Sequence, residues 1–100
     1  KAEKIIDNYD NIVVQGDTAT VAAIALTAYN LKKKIFYIES GLRSFDLENP
    51  YPEEAYRQMV SRIATVNFCP TDLSSENLKK EKGRENLMVH LKVIINLHQI

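Results

Sequence analysis

Apolar runs too short to be helices, separated by segments of helical period, are the feature that most narrows what this chain folds into. Ile12, Val13 and Val14 form a β-branched run stopped by Gly16, so Asn11–Gln15 reads as a buried strand. Ile35–Ile38 is a second strand of the same type and runs into Glu39-Ser40-Gly41; Val66–Cys69 is a third, stopped by Pro70; Leu87–Leu91 is a fourth. After the first strand, Thr18 or Thr20 caps a helix that reaches Leu31, with Val21, Ile24, Ala25, Ala28 and Leu31 on one face. Ala22, Leu26 and Tyr29 add apolar surface elsewhere, which predicts cover on more than one side. Lys32-Lys33-Lys34 closes that helix where positive charge suits a C-terminus.

The loop Leu42–Tyr51 leads to a helix with Pro52 in its first turn. Tyr56, Met59, Val60, Ile63 and Ala64 face its core, while Arg57, Gln58 and Arg62 are expected to face water. Thr71 or Asp72 opens a further helix to about Lys82, polar apart from Leu73 and Leu78. The tail Lys92–Ile100 reads equally as more strand or as a new helix. Strand–helix–strand alternation with continuous apolar strands predicts an α/β fold, a parallel sheet covered by helices. The segment Ala2–Asn8 reads as the end of a helix whose start is missing, so the chain is expected to be a fragment.

Composition removes several classes of function. Thirteen Lys and Arg balance thirteen Asp and Glu among 100 residues, which gives no electrostatic basis for binding nucleic acid. A hydrophobic content of 45% with 26% charged residues is that of a folded globular chain. Cys69 is the single cysteine, so no internal disulfide forms, and a reducing cytoplasmic setting is expected. The longest uncharged run, Thr18–Leu31, falls short of the roughly 20 residues a membrane span needs. The start, Lys1-Ala2-Glu3-Lys4, has no apolar signal region.

In an open parallel sheet, ligands bind outside the carboxyl ends of the strands. Asp17 follows the first strand and Glu39 ends the second. If these strands are neighbours, roughly 4.8 Å apart, both carboxylates face one cavity. Two such groups in a partly dry pocket push each other's proton affinities apart, which suits removal of a proton from carbon. The alternative is that Asp17 caps its helix and Glu39 is a solvated strand end. Glu53 and Glu54 sit where a helix N-terminus stabilises negative charge, and Glu54 is placed to pair with Arg57. Arg43 is suited either to a phosphate or sugar hydroxyl, or to anchoring its loop to Asp46 or Glu48.

Other candidates read as structural. His90 and His98 lack partners at metal spacing, and Cys69 is a small buried residue. Lys79, Lys80, Lys82 and Arg84 interleave with Glu76, Glu81 and Glu85 as a solvated face. QGDTAT carries neither a dinucleotide fingerprint nor a phosphate loop, and neither metal nor nicotinamide cofactor is expected.

Three segments together are recognisable: VVQGDTATVAA, then FYIESGLRSFDLENPYPEEAYRQMVSRIA, then FCPTDLSSENL. They resemble the non-hydrolysing UDP-N-acetylglucosamine 2-epimerases, with their GDT turn, AGLR turn and PEE helix start. The match runs from about Asn11 to Leu78 without a gap. Ala19, Ser40 and Tyr56 depart from the usual threonine, alanine and asparagine, and VHLKVIINL replaces the usual VTGNTVID.

The resemblance implies a Rossmann-like sheet within a two-domain, glycosyltransferase-B-like enzyme, of which this chain is the second half of the N-terminal domain. It implies interconversion of UDP-N-acetylglucosamine and UDP-N-acetylmannosamine. A proton leaves sugar carbon 2, UDP departs by anti elimination, and UDP adds back to the 2-acetamidoglucal as a proton returns to the opposite face. Asp17, Glu39 and Glu53 match the family's functional acids, and Arg43 matches the arginine of the AGLR turn, a substrate-site position with a loop-supporting role. A homodimer is implied for the full-length enzyme. The rivals are a hydrolysing relative and a non-catalytic nucleotide-sugar-binding piece. The hundred residues alone are expected to be inert, lacking a set of basic groups for the diphosphate.

Overall fold

The computed structural model describes residues 2–81 and 89–92, the last four by their backbone. Its elements are α1 (Ala2–Asp7), β1 (Asn11–Gln15), α2 (Ala19–Asn30), β2 (Lys34–Ile38), α3 (Glu53–Ile63), β3 (Val66–Cys69), α4 (Asp72–Lys79) and β4 (Val89–Lys92). The strands form one parallel sheet in the order β1-β2-β3-β4. The expected α/β architecture, a parallel sheet with flanking helices, is therefore present. Val14 pairs with Tyr37 and Gln15 with Ile38, so β1 and β2 end side by side.

Strand alternation sorts the residues onto two faces. Ile12 and Val14 of β1, with Ile35 and Tyr37 of β2, join Ala22, Ala25 and Ala28 of α2, Val60 of α3 and Ala64 just after it in one core. Ile6 from α1 completes it. Three alanines on the buried stripe of α2 let that helix lie close against its neighbours, because interaxial distance follows side-chain size. Fully buried side chains such as Ile35 and Val60 each contribute about 1.5–3 kcal/mol of transfer free energy.

On the opposite face Phe36 and Phe68 stack with ring centroids 6.4 Å apart. Val13 shares that face and is 63% exposed, contrary to the expectation of a strand buried on both sides. It points away from α2, which packs on the Val14 face of β1. Leu26 and Tyr29 are likewise exposed, so α2 is covered along a single stripe and not on several sides.

Local signals set the remaining boundaries. Thr18, not Thr20, caps α2, its hydroxyl accepting the Val21 N–H at 3.2 Å. Thr71 caps α4 by accepting the Ser74 N–H at 3.0 Å. Pro52 sits one position before the first turn of α3, and α4 ends at Lys79 before the expected Lys82. Lys33 reaches back to Asp7, bonding its carbonyl at 3.2 Å and pairing with its carboxylate at 3.6 Å. The fourth strand is present as Val89–Lys92; the expected start at Leu87, the tail after Lys92, His98, Lys82, Arg84 and Glu85 lie outside the described residues.

Candidate active site

After Gln15 the chain turns at Gly16, whose φ of 103° is the left-handed region that glycine adopts without steric cost. Asp17 follows, and because Thr18 takes the capping role, its carboxylate is left free of the helix end. After Ile38 the chain turns again at Glu39, a non-glycine residue at φ 60°. The Gln15–Ile38 register places both turns at one rim. The Gln15 side-chain amide donates to the Glu39 carboxylate across the two strands. Asp17 and Glu39 open into a single cavity of about 180 Å³, lined also by Gly16, Tyr37, Gly41, Leu42 and Arg57.

Arg57 was expected to face water. Instead it reaches from α3 to Asp17, with both Nε and Nη2 at 2.9 Å from Oδ2. Its Nη1 donates to Glu54 Oε1 at 3.4 Å. Arg57 lies one turn along α3 from Glu53, and its side chain reaches the cavity at the rim. Gln58, also expected outside, donates to Glu54 Oε2 at 3.0 Å. Arg62 is exposed as expected.

Glu54 has no exposed side-chain surface. Besides Arg57 and Gln58 it accepts the backbone N–H groups of Ser44 and Phe45, both at 3.0 Å. Phe45 is held at φ 62°, a conformation disfavoured for a large side chain. Burial pushes the Glu54 carboxyl up, but the Ser44 N–H, the Gln58 amide, the Phe45 N–H and the Arg43 charge outweigh it and hold the group below its ordinary 4.5. Glu54 is thus an ionised clamp on the loop between β2 and α3.

Glu53, one residue earlier, is half-buried, and its side chain makes no hydrogen bond or ion pair among the described residues. It does not line the cavity around Asp17 and Glu39. Two adjacent glutamates therefore differ completely: one is consumed by the loop and the other is unengaged.

Arg43 is turned inward, its side chain fully covered. It donates to Glu81 through Nε at 2.8 Å and Nη2 at 3.3 Å, to the Leu42 carbonyl at 2.8 Å and to Ser61 Oγ at 2.6 Å. It anchors the loop to Glu81, not to Asp46 or Glu48, and does not line the cavity. Glu81, expected on a solvated face, is drawn in by that pair; Lys79 and Glu76 form an exposed pair at 3.8 Å.

A buried polar network supports the turn after β2. Ser40 Oγ donates to Asn67 Oδ1 at 2.5 Å, Asn67 donates to the Ser61 carbonyl at 3.2 Å, and Asn77 donates to the Gly41 carbonyl at 3.0 Å. Ser40, a departure from the family's usual alanine, thus has a structural use. Tyr37 donates its hydroxyl to the Gly16 carbonyl at 2.8 Å, bracing the turn that carries Asp17. Burial raises the Tyr37 phenol to about 12 despite the nearby Arg43 charge. Cys69 is buried as expected, and burial pushes its thiol up.

Sequence reading thus identified the two acids of the cavity but not Arg57, Tyr37 or Gln15. The available signals were the arginine that ends the PEE segment and the position of Tyr37, two residues before Glu39 on β2. Among the described residues no helix is long and apolar enough to cross a membrane.

The match to a family model described as UDP-N-acetylglucosamine 2-epimerase covers residues 3–91. The UDP-N-acetylglucosamine 2-epimerase of Campylobacter jejuni is 42% identical over 86 residues, which is 85% of this chain and 22% of that one. Its counterpart in Methanocaldococcus jannaschii is 43% identical over 86 residues, 84% of this chain and 23% of the relative. Among solved structures, the S. aureus MnaA–UDP co-structure superimposes with a TM-score of 0.80 at 35% identity, over 89% of this chain and 25% of that one. The Neisseria meningitidis UDP-GlcNAc 2-epimerase bound to UDP-GlcNAc gives 0.79 at 33% identity, over 88% and 24%. The chain spans about a quarter of the length of the proteins it matches. With the fold, the motifs and these relatives in agreement, the chain belongs to the UDP-N-acetylglucosamine 2-epimerase family.

Proposed function

We propose that this chain supplies the acidic half of the active site of an enzyme that interconverts UDP-N-acetylglucosamine and UDP-N-acetylmannosamine. In this reading the hundred residues are the second half of the N-terminal domain of a two-domain, glycosyltransferase-B-like protein. The observation that carries it is the convergence of Asp17 and Glu39 on one cavity at the carboxyl ends of adjacent parallel strands. Relatives solved with UDP or UDP-GlcNAc bound support a nucleotide-sugar substrate.

Breaking the carbon 2–hydrogen bond needs a base on one face of the sugar, and restoring it inverted needs an acid on the other. The C1–oxygen bond breaks with its electron pair going to UDP, leaving a 2-acetamidoglucal; re-addition reverses the bond changes. Asp17, Glu39 and Glu53 share the proton transfers. Glu53 suits this work better than Glu54, because a carboxylate already holding four donors has no capacity left for substrate. Arg43 serves the site by fixing the loop above it. A cytoplasmic homodimer, with no metal or nicotinamide, is part of the same proposal.

Two other outcomes are chemically distinct. A hydrolysing enzyme releases free N-acetylmannosamine and UDP, and a binding piece changes nothing. The intact PEE segment and the GLRSFD loop favour the non-hydrolysing type. The test is incubation of the full-length polypeptide carrying this chain with UDP-N-acetylglucosamine, followed by proton NMR of the products. The manno epimer still joined to UDP is expected; free N-acetylmannosamine, or unchanged substrate, would contradict the proposal.

A further inference from the structure

We propose that Arg57 is a positioning residue of this site, holding the Asp17 carboxylate in place and tying it to the loop that Glu54 clamps. The inference rests on the functional reading above. It starts from an unusual use of one guanidinium. Two of its nitrogens converge on a single oxygen of Asp17, both at 2.9 Å, while the third bonds the fully covered Glu54. A planar fork engaged at both ends cannot rotate without breaking one of these bonds.

Glu54 in turn accepts the N–H groups of Ser44 and Phe45, so the loop and the acid are joined through two residues, Glu54 and Arg57. The loop is costly to hold in this form, because Phe45 sits in the left-handed region. Asp17 is itself partly open to the cavity and follows a glycine turn, so nothing in its own backbone fixes its side chain. Arg57 supplies that restraint. Gln15 plays the corresponding part for Glu39, through a shorter connection across adjacent strands.

Misplacing a catalytic group by an ångström costs about 100-fold in rate. In the full-length polypeptide, Arg57→Met should therefore lower kcat about 100-fold while KM stays within about threefold, the signature of a lost transition-state alignment. Placed in an Asp17→Asn background, the same change should cost no more than about threefold, since a residue acting through Asp17 has little left to position. Arg57→Lys keeps the charge without the fork and should remain at least about tenfold impaired; it also serves if Arg57→Met fails to fold. Arg62→Met, on the exposed face of the same helix, should leave kcat unchanged.

An independent readout is the Nε–H resonance of Arg57, visible where a hydrogen bond slows exchange with water and assigned by its absence in Arg57→Lys. It should be present in the wild type and lost in Asp17→Ala. A full 100-fold cost of Arg57→Met in the Asp17→Asn background, or a resonance indifferent to Asp17→Ala, would overturn the proposal. A wild type that neither epimerises nor exchanges the carbon 2 proton, with the resonance still responding to Asp17→Ala, would overturn the functional reading and leave the tether standing.

Discussion

Replacing Glu54 by glutamine removes one oxygen from a carboxylate whose two oxygens are both in use. Oε1 holds the Ser44 N–H and Arg57, and Oε2 holds the Phe45 N–H and the Gln58 amide. An amide in the same place offers one oxygen and one NH2 group. Whichever way it lies, one pair of donors meets another donor. Two hydrogen bonds to a charged acceptor are lost, each worth about 1.5–3 kcal/mol. Ser44 and Phe45 lie on an exposed loop and regain water on release, so the low end applies and the loss is about 3 kcal/mol.

Urea denaturation of the purified protein measures this, as a lower midpoint at unchanged slope. Limited proteolysis should show new cleavage within residues 42–51. The carboxyl is held below its ordinary 4.5 in the folded protein, so its contribution is complete above that value. It is lost as pH falls through the lower folded-state value, and wild type and variant should converge there. A stability difference below about 0.5 kcal/mol at neutral pH, the level of an ordinary surface change, with the loop still protected, would refute the clamp.

Four further outcomes are expected. A Cβ at Gly41 would lie 2.3 Å from the Ser74 carbonyl oxygen, so Gly41→Ala should prevent folding or lower the melting temperature drastically. At Gly16 the nearest atom is Val21 Cγ2 at 3.9 Å, so Gly16→Ala should cost only the left-handed backbone penalty of about 1–2 kcal/mol by the same melting measurement. Tyr37→Phe should remove the phenolate absorbance change near 12 in an alkaline titration; the stability tied to this proton is complete below pH 10 and lost as pH rises towards 12. Glu53→Gln should abolish most turnover while shifting stability by no more than about 2 kcal/mol, the ceiling for a partly buried helix-end charge; a purely thermal effect would return Glu53 to a structural role.

The fold was legible because local chemistry and global pattern agree. Ile12-Val13-Val14 and Val66–Cys69 are bounded by Gly16 and Pro70, and β1 and β3 occupy the predicted positions. Thr18 precedes an alanine-rich stretch and caps it. The rim acids were legible because their position depends only on strand ends. What stayed hidden depends on how α3 lies across the sheet. Arg57 and Gln58 read as solvent-facing from helical period, yet Arg57 bonds a residue 40 positions earlier. Glu53 and Glu54 differ by about 100° of helix rotation, which decides which one meets the loop. Arg43 and Glu81 are 38 positions apart, and no local spacing links them.

The central claim is that Asp17 and Glu39 move the carbon 2 proton of a nucleotide sugar. The direct measurement is deuterium incorporation at that carbon in D2O, followed by NMR for the wild-type full-length protein and for Asp17→Asn and Glu39→Gln. An amide keeps the shape of the side chain but neither accepts nor returns a proton at neutral pH. Incorporation should be ready in the wild type and reduced by at least about 100-fold in each variant, the scale of general acid–base catalysis, with folding unchanged. Wild-type rates of exchange in both variants would contradict the assignment of these two carboxylates to the chemistry.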